Sequence, residues 1–283
     1  IWNILDKTER DIADRIQKKL AGTTGLTTPV ELRRMQALLA QLDTIRRTAW
    51  GEATDYLLTQ MVDLSYQEPI AMQAIAAATA PVVIETVLPA ARLLKSIALS
   101  RPFEGRILKD WAATMEAEDI RRIHSAIQLG MVAGETTDAI VRRVVGSTAL
   151  KGTDGITELT RRQVQAITRT AIQHVANNAR NEFMLENVEV MTAEQFVATL
   201  DARTTPICRA NDGKRFPVGK GPIPPLHFAC RSLRVAAFDE GYIGQRPAKP
   251  VTQNMLLREF GEQEKIGLPK SRDDLPKGFK GKF

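Results

Sequence analysis

Along residues 1–21 the apolar positions Ile1, Ile4 or Leu5, Ile12, Ile16 and Leu20 recur at helical spacing between charged ones. This predicts an amphipathic helix with one modest apolar stripe, suited to docking. Gly22 to Gly25 breaks the pattern. Thr28-Pro29-Val30-Glu31 then marks a new helix start: a capping threonine, proline at the first helical position, and glutamate three residues after the cap. Apolar residues from Leu32 through Leu42 and Leu57 to Met61 carry that helix to about Tyr66. Prolines at 69, 81, 89 and 102 predict that 70–100 divides into two or three short apolar helices. The helical pattern resumes near Phe103, runs through Trp111 and Ile120 to Val132, and is followed by a shorter helix at 136–146. The clearest helix lies at 156–186, where Leu159, Val164, Ile167, Ala171, Val175, Ala179 and Phe183 repeat every three to five positions.

Near Asn187 the pattern changes. Residues 188–190 and 196–200 have β propensity, and 233–238 reads as another strand. The expected fold is therefore mainly α: an elongated helical N-terminal region followed by a small α+β module with a Cys/His-containing loop. Four segments result: an N-terminal helical docking region at 1–100, a second helical part at 101–186, the small module at 187–245 and a basic C-terminal arm at 246–283.

Composition narrows this further. With 5% aromatic residues, the 283-residue chain is a poor candidate for an all-β sandwich. No run of about 18 uncharged apolar residues occurs, so no membrane span is expected. The two cysteines, Cys208 and Cys230, sit in one short segment, which excludes a disulfide-built scaffold and makes cytosolic synthesis the default. The net charge of +6 is concentrated near the C-terminus. Residues 201–235 hold seven basic side chains against two acidic ones, and 265–283 hold six against two. Lys270, Arg272, Lys277, Lys280 and Lys282 are thus the candidate contacts to DNA or an acidic partner, an attraction that weakens as salt rises. The plainer alternative is a solvated end.

The chemistry-bearing residues fall in one stretch. Asp201-Ala202-Arg203-Thr204 leads to Cys208; Asp212-Gly213-Lys214 follows; Pro224-Pro225-Leu226-His227-Phe228-Ala229-Cys230-Arg231 closes it. Seven of the thirteen residues from 213 to 225 are Gly or Pro, which predicts a shaped loop, neither helix nor strand, that returns His227 and Cys230 towards Cys208. Arg231 is the expected ion-pair partner of Asp201. His124 and His174 lack carboxylate or cysteine neighbours at ligand spacing, so ordinary surface or core roles are expected for them.

The ordered set resembles the phage Mu protein F-like family of minor head proteins, also called head morphogenesis proteins. The likeness extends upstream to Ile167-Thr168-Arg169-Thr170, to Ala176-Asn177-Asn178 and to the Gly134-to-Ile140 element, so it covers roughly 120–238. It assigns a structural motif to Asp201, Arg203, Thr204, Cys208, Asp212, Gly213, Pro225, His227, Cys230 and Arg231. Family members often carry further cysteines where this chain has Thr205 and Ser232. Cys208, His227 and Cys230 remain as candidate zinc ligands, one short of the four of a structural site unless Asp201, Asp212 or water completes it. Packing of two thiols and an imidazole without metal is the plainer alternative, and a Cys208–Cys230 disulfide is disfavoured in a reducing cytosol. The resemblance implies a non-enzymatic minor capsid protein of a tailed phage, made in the host cytoplasm and carried in the virion. It would act at the portal vertex in head assembly or DNA packaging and delivery, with the portal protein, major capsid protein or scaffold as partners and packaged DNA met by the basic tail. The competing class is a zinc- or thiol-dependent hydrolase, or a toxin-like protein carried in the head, with Asp201, His227 and Cys208 as its reacting groups.

Overall fold

The start signal at residue 28 closes as a reciprocal capping box. Thr28 N donates to the Glu31 carboxylate at 2.9 Å, and Glu31 N donates to Thr28 Oγ1 at 3.2 Å. In the computed structural model, which describes residues 1–23, 25–26, 28–79 and 85–237, this box opens the longest helix. Among the described residues the order is α1 (Trp2–Leu20), α2 (Pro29–Thr79), α3 (Ala91–Ser100), α4 (Leu108–Val132), α5 (Thr137–Val145), α6 (Thr157–Glu186), β1 (Ala193–Val197), α7 (Pro206–Asn211), β2 (Arg215–Pro217) and β3 (Leu233–Ala237). No described helix is long and apolar enough to cross a membrane. The candidate contacts Lys270, Arg272, Lys277, Lys280 and Lys282 lie outside the described residues.

The expected break at Pro69 is absent; α2 continues through it for ten more residues. Proline inside a helix costs about 3 kcal/mol, so packing must offset it. Beyond Pro69, Met72 and Ala76 are buried in a cluster with Phe183, Met184, Met191 and Val218, where each fully buried large side chain contributes about 1.5–3 kcal/mol. Glu68 also pairs with Arg180 of α6 at 2.7 Å. Tertiary contact with α6 thus overrides the local signal.

The stripe of α1 is the second correction. Ile12, Ile16 and Leu20 are buried with Leu38 and Leu42 of α2, Ile123 and Ile127 of α4, and Ile140 and Val144 of α5. Leu5 joins a second cluster with Trp50 and Leu57 of α2, Ile97 of α3 and Ile167 of α6. Arg161 of α6 adds ion pairs to Asp6 at 2.5 Å and Glu9 at 2.8 Å. The apolar face expected to dock elsewhere is therefore used inside the molecule.

A buried polar node joins the long helices. Asp119 of α4 accepts hydrogen bonds from Arg46 Nε (2.6 Å) and Trp50 Nε1 (3.0 Å) of α2, and from Thr160 Oγ1 (2.5 Å) of α6. Arg46 and Asp119 are both almost wholly shielded from solvent. His124, also on α4, lies 2.5 Å from Asp43 Oδ1 of α2, a carboxylate neighbour that sequence spacing does not reveal.

His174 takes the core role expected of it. Its Nε2 donates to the Arg101 carbonyl at 3.2 Å, its Nδ1 accepts from Asn178 Nδ2 at 3.2 Å, and its ring lies 5.2 Å from that of Phe103. Burial, the main cause, pushes its pKa from 6.5 down to about 4. As pH falls through 6.5, the unfolded chain takes up the proton first. Stability is therefore full above that pH and declines towards pH 4, by about 3 kcal/mol in all. Urea midpoints across this window should show the decline, and His174→Gln should flatten it. An equal slope in the variant would assign the acid sensitivity to other groups.

The sheet differs from expectation in its first strand. Residues 188–190 form a turn in which Val190 N and Met191 N both donate to the Asn187 carbonyl, and the strand begins five residues later than Val188, at Ala193. Strand order is β2-β1-β3, all antiparallel, with Glu194 opposite Phe216 on one side and Ala236 on the other. The Gly/Pro-rich connection, expected to hold no strand, contains β2, because Gly213 N and Phe196 N exchange hydrogen bonds with Phe196 O and Lys214 O and draw the chain alongside β1. Gly213 adopts φ +74°, which only glycine takes readily. The helix expected from Phe103 starts at Leu108. Before it, Phe103 and Arg106 exchange backbone hydrogen bonds in a turn with Glu104 and Gly105 at positive φ.

Candidate metal centre

The turn at 199–204 builds one wall of the site. Asp201 Oδ1 accepts from Arg203 N at 2.8 Å, and the Thr204 hydroxyl donates to the Thr199 carbonyl. The Asp201 carboxylate also accepts both terminal nitrogens of Arg231 at 2.6 Å, the expected pair in bidentate form. Arg231, with the Arg203 amide assisting, holds the Asp201 carboxyl well below the usual carboxylate range. Arg203 itself extends into solvent. Because Arg231 lies between Cys230 and Ser232, this pair fixes that segment against the residues that lead into α7.

Helix α7, missed from sequence because it is only six residues long, starts with Pro206 at its first position and turns Cys208 inward. At its far end Asp212 Oδ1 accepts from Ala198 N at 2.8 Å, tying α7 to the end of β1. Pro225 sits two residues before His227, half-buried in the returning loop.

The loop from 227 to 234 is held by the long helices. Thr170 Oγ1 accepts from Ala229 N at 2.8 Å, Asn177 Oδ1 accepts from Arg234 N at 3.1 Å, and Phe228 meets Trp111 edge-on at 5.2 Å. Thr170 and Asn177 lie seven residues apart on one face of α6. Polar side chains on the buried face of α6, Thr170 and Asn177 among them, are the sequence signal for this role. Beneath the loop, Glu194 of β1 and Arg234 of β3 form a wholly buried ion pair. Glu194 also accepts from Gly219 N at 2.9 Å, and Arg234 donates to the Gly221 carbonyl at 3.3 Å.

Cys208, His227 and Cys230 converge. Cys208 Sγ lies 3.6 Å from Cys230 Sγ and 3.2 Å from His227 Nε2, and all three ligand atoms fall within 4.8 Å of one another. Both cysteines are free thiols. His227 Nδ1 lies 2.8 Å from the Phe228 carbonyl; a proton held there leaves the Nε2 lone pair aimed at Cys208. The edges of a tetrahedral zinc site with bonds of about 2.3 Å to sulfur and 2.0 Å to nitrogen are about 3.8 Å for S···S and 3.5 Å for S···N. The two separations made by Cys208 lie near those edges. The hydroxyls of Thr205 and Ser232 lie beside the Cys208 thiol, and Thr205 Oγ1 is shielded from solvent.

The same geometry disfavours a thiol hydrolase. Asp201 is engaged by Arg231 and not by the imidazole, whose Nδ1 meets a backbone carbonyl. Burial pushes the Cys208 thiol up, opposite to the activation a nucleophile needs.

Residues 121–234 match the family model described as Phage Mu protein F like protein. No curated protein and no solved structure matches the chain.

Proposed function

We propose, from the match of residues 121–234 to the phage Mu protein F-like family, that the chain is a minor structural protein of a tailed-phage head, carried in the virion and bound at the portal vertex during head assembly or DNA packaging. The observation that carries this is the span of the match, which runs from α4 to β3 and takes in the whole Cys/His loop together with Thr170 and Asn177, which hold it. Cys208, His227 and Cys230 hold a zinc ion that ties α7 to the 227–232 segment and adds to the small apolar cluster of Phe196 and Ala198 around the two cysteines.

Since the stripe of α1 is internal, contact with the portal falls to a different face. Asn187 clasps Val87, accepting from its N–H at 2.7 Å and donating to its carbonyl at 2.8 Å. Val87, Leu88, Val188 and Val190, which flank this clasp in sequence, are all exposed. Exposed apolar side chains grouped in this way suit a protein interface. Co-expression with the portal protein of the same phage should give a complex that co-sediments, and Val87→Asp with Val188→Asp should release the chain while its circular dichroism stays unchanged. Failure of the unaltered chain to co-sediment, or full binding by the double variant, would overturn the portal assignment.

A further inference from the structure

We infer that the Cys208–His227–Cys230 centre is a three-ligand site whose fourth position is open and takes an exchangeable ligand, water or a small monodentate anion. This rests on the metal assignment above and adds what completes it.

Closed structural zinc sites have four protein donors; a site with three and a free position exchanges its fourth ligand. Among the described residues the ligand group contains three members. The nearby carboxylates are committed elsewhere, Asp201 to Arg231 and Asp212 to the amide of Ala198. Beside Cys208 stand two hydroxyls, Thr205 and Ser232, and neutral alcohols compete poorly with thiolate and imidazole for zinc.

Space is present where a fourth ligand would enter. A cavity of about 20 Å³ borders Cys208 and His227 and is lined further by Thr204, Thr205, Arg231 and Ser232. One water needs about 10–15 Å³, so a single water or small ion has room there. Thr205, whose hydroxyl is shielded from solvent beside the Cys208 thiol, lines this cavity and can hydrogen-bond its occupant. Charge sets the class of that occupant. Two thiolates and a neutral imidazole cancel the +2 of zinc, and Arg203 and Arg231 on the cavity wall, set against the one Asp201 carboxylate they flank, leave a single net positive charge. A neutral water is accepted, and a monoanion is favoured.

The test uses the full chain. Metal content is measured by mass spectrometry, and cobalt(II) is then exchanged for zinc under anaerobic conditions. The expected result is one metal per chain and a visible spectrum of tetrahedral cobalt with thiolate charge transfer. Azide should shift that spectrum saturably with a single binding step. In Ser232→Cys, or in Thr205→Cys where the first variant does not fold, a third thiolate fills the open position and the azide response should disappear. Absence of bound metal would overturn the metal assignment and this inference together. One bound metal whose cobalt spectrum ignores azide in the unaltered chain would overturn the open position alone and leave the metal assignment standing.

Discussion

Glu194→Gln is expected to destabilise the protein by about 3–5 kcal/mol, because it leaves Arg234 charged and unpaired in the interior. Both partners are wholly buried, so water does not reach the orphaned guanidinium without opening the sheet. The pair also anchors the amide of Gly219 and the carbonyl of Gly221, so the damage should extend along the connection that delivers His227. Urea denaturation gives the energy, and amide hydrogen exchange over 218–232 gives the reach. Replacing both residues by leucine should recover much of the loss, since an apolar pair avoids the desolvation that the ion pair incurs. A single-variant loss under about 1 kcal/mol would mean that Arg234 escapes to solvent, contrary to its complete burial.

Asp119→Ala is the second large effect, on the order of 4–5 kcal/mol. The carboxylate serves Arg46, Trp50 and Thr160 at once, and all three bonds are buried. Alanine would leave a charged guanidinium, an indole N–H and a hydroxyl without an acceptor. Because these belong to α2 and α6 while Asp119 belongs to α4, hydrogen exchange should accelerate in three helices together and not in α4 alone. The two substitutions involve no common partner, so their energies should add to within about 0.5 kcal/mol. A clear departure from additivity would show that the two buried polar pairs interact energetically across the molecule.

Much of the helical order was legible in the sequence because its signals are local. The capping box at Thr28, the glycine after Val145 and the spacing from Val164 to Phe183 each predict an element that is present. The misses have a common cause in long-range contact. Nothing near Pro69 reveals that Met72 and Ala76 will meet Phe183 and Met184, more than a hundred residues away. Val188-Glu189-Val190 has strand-forming side chains, but the backbone turns there and the sheet takes Ala193–Val197 as its central strand, where both sides find partners. The convergence of Cys208, His227 and Cys230 was readable from residue type and a looping connection. Its supports were not: Glu194 and Arg234 look like ordinary strand charges until the sheet places both on one buried face.

The ion pairs between the start of α1 and Arg161 have a consequence for synthesis. Asp6 and Arg161 are separated by 155 positions, and at about 5–20 residues per second the ribosome needs about 8–30 s to make the second after the first. During that interval α1 has emerged, but α5 and α6, against which it packs, have not. The nascent chain therefore carries α1 only partly covered, first by α2 and then by α4, and its folding is completed late, when α6 arrives. Helpers that bind exposed apolar helices would meet this chain at α1, and slower translation upstream of Thr157 would prolong that encounter.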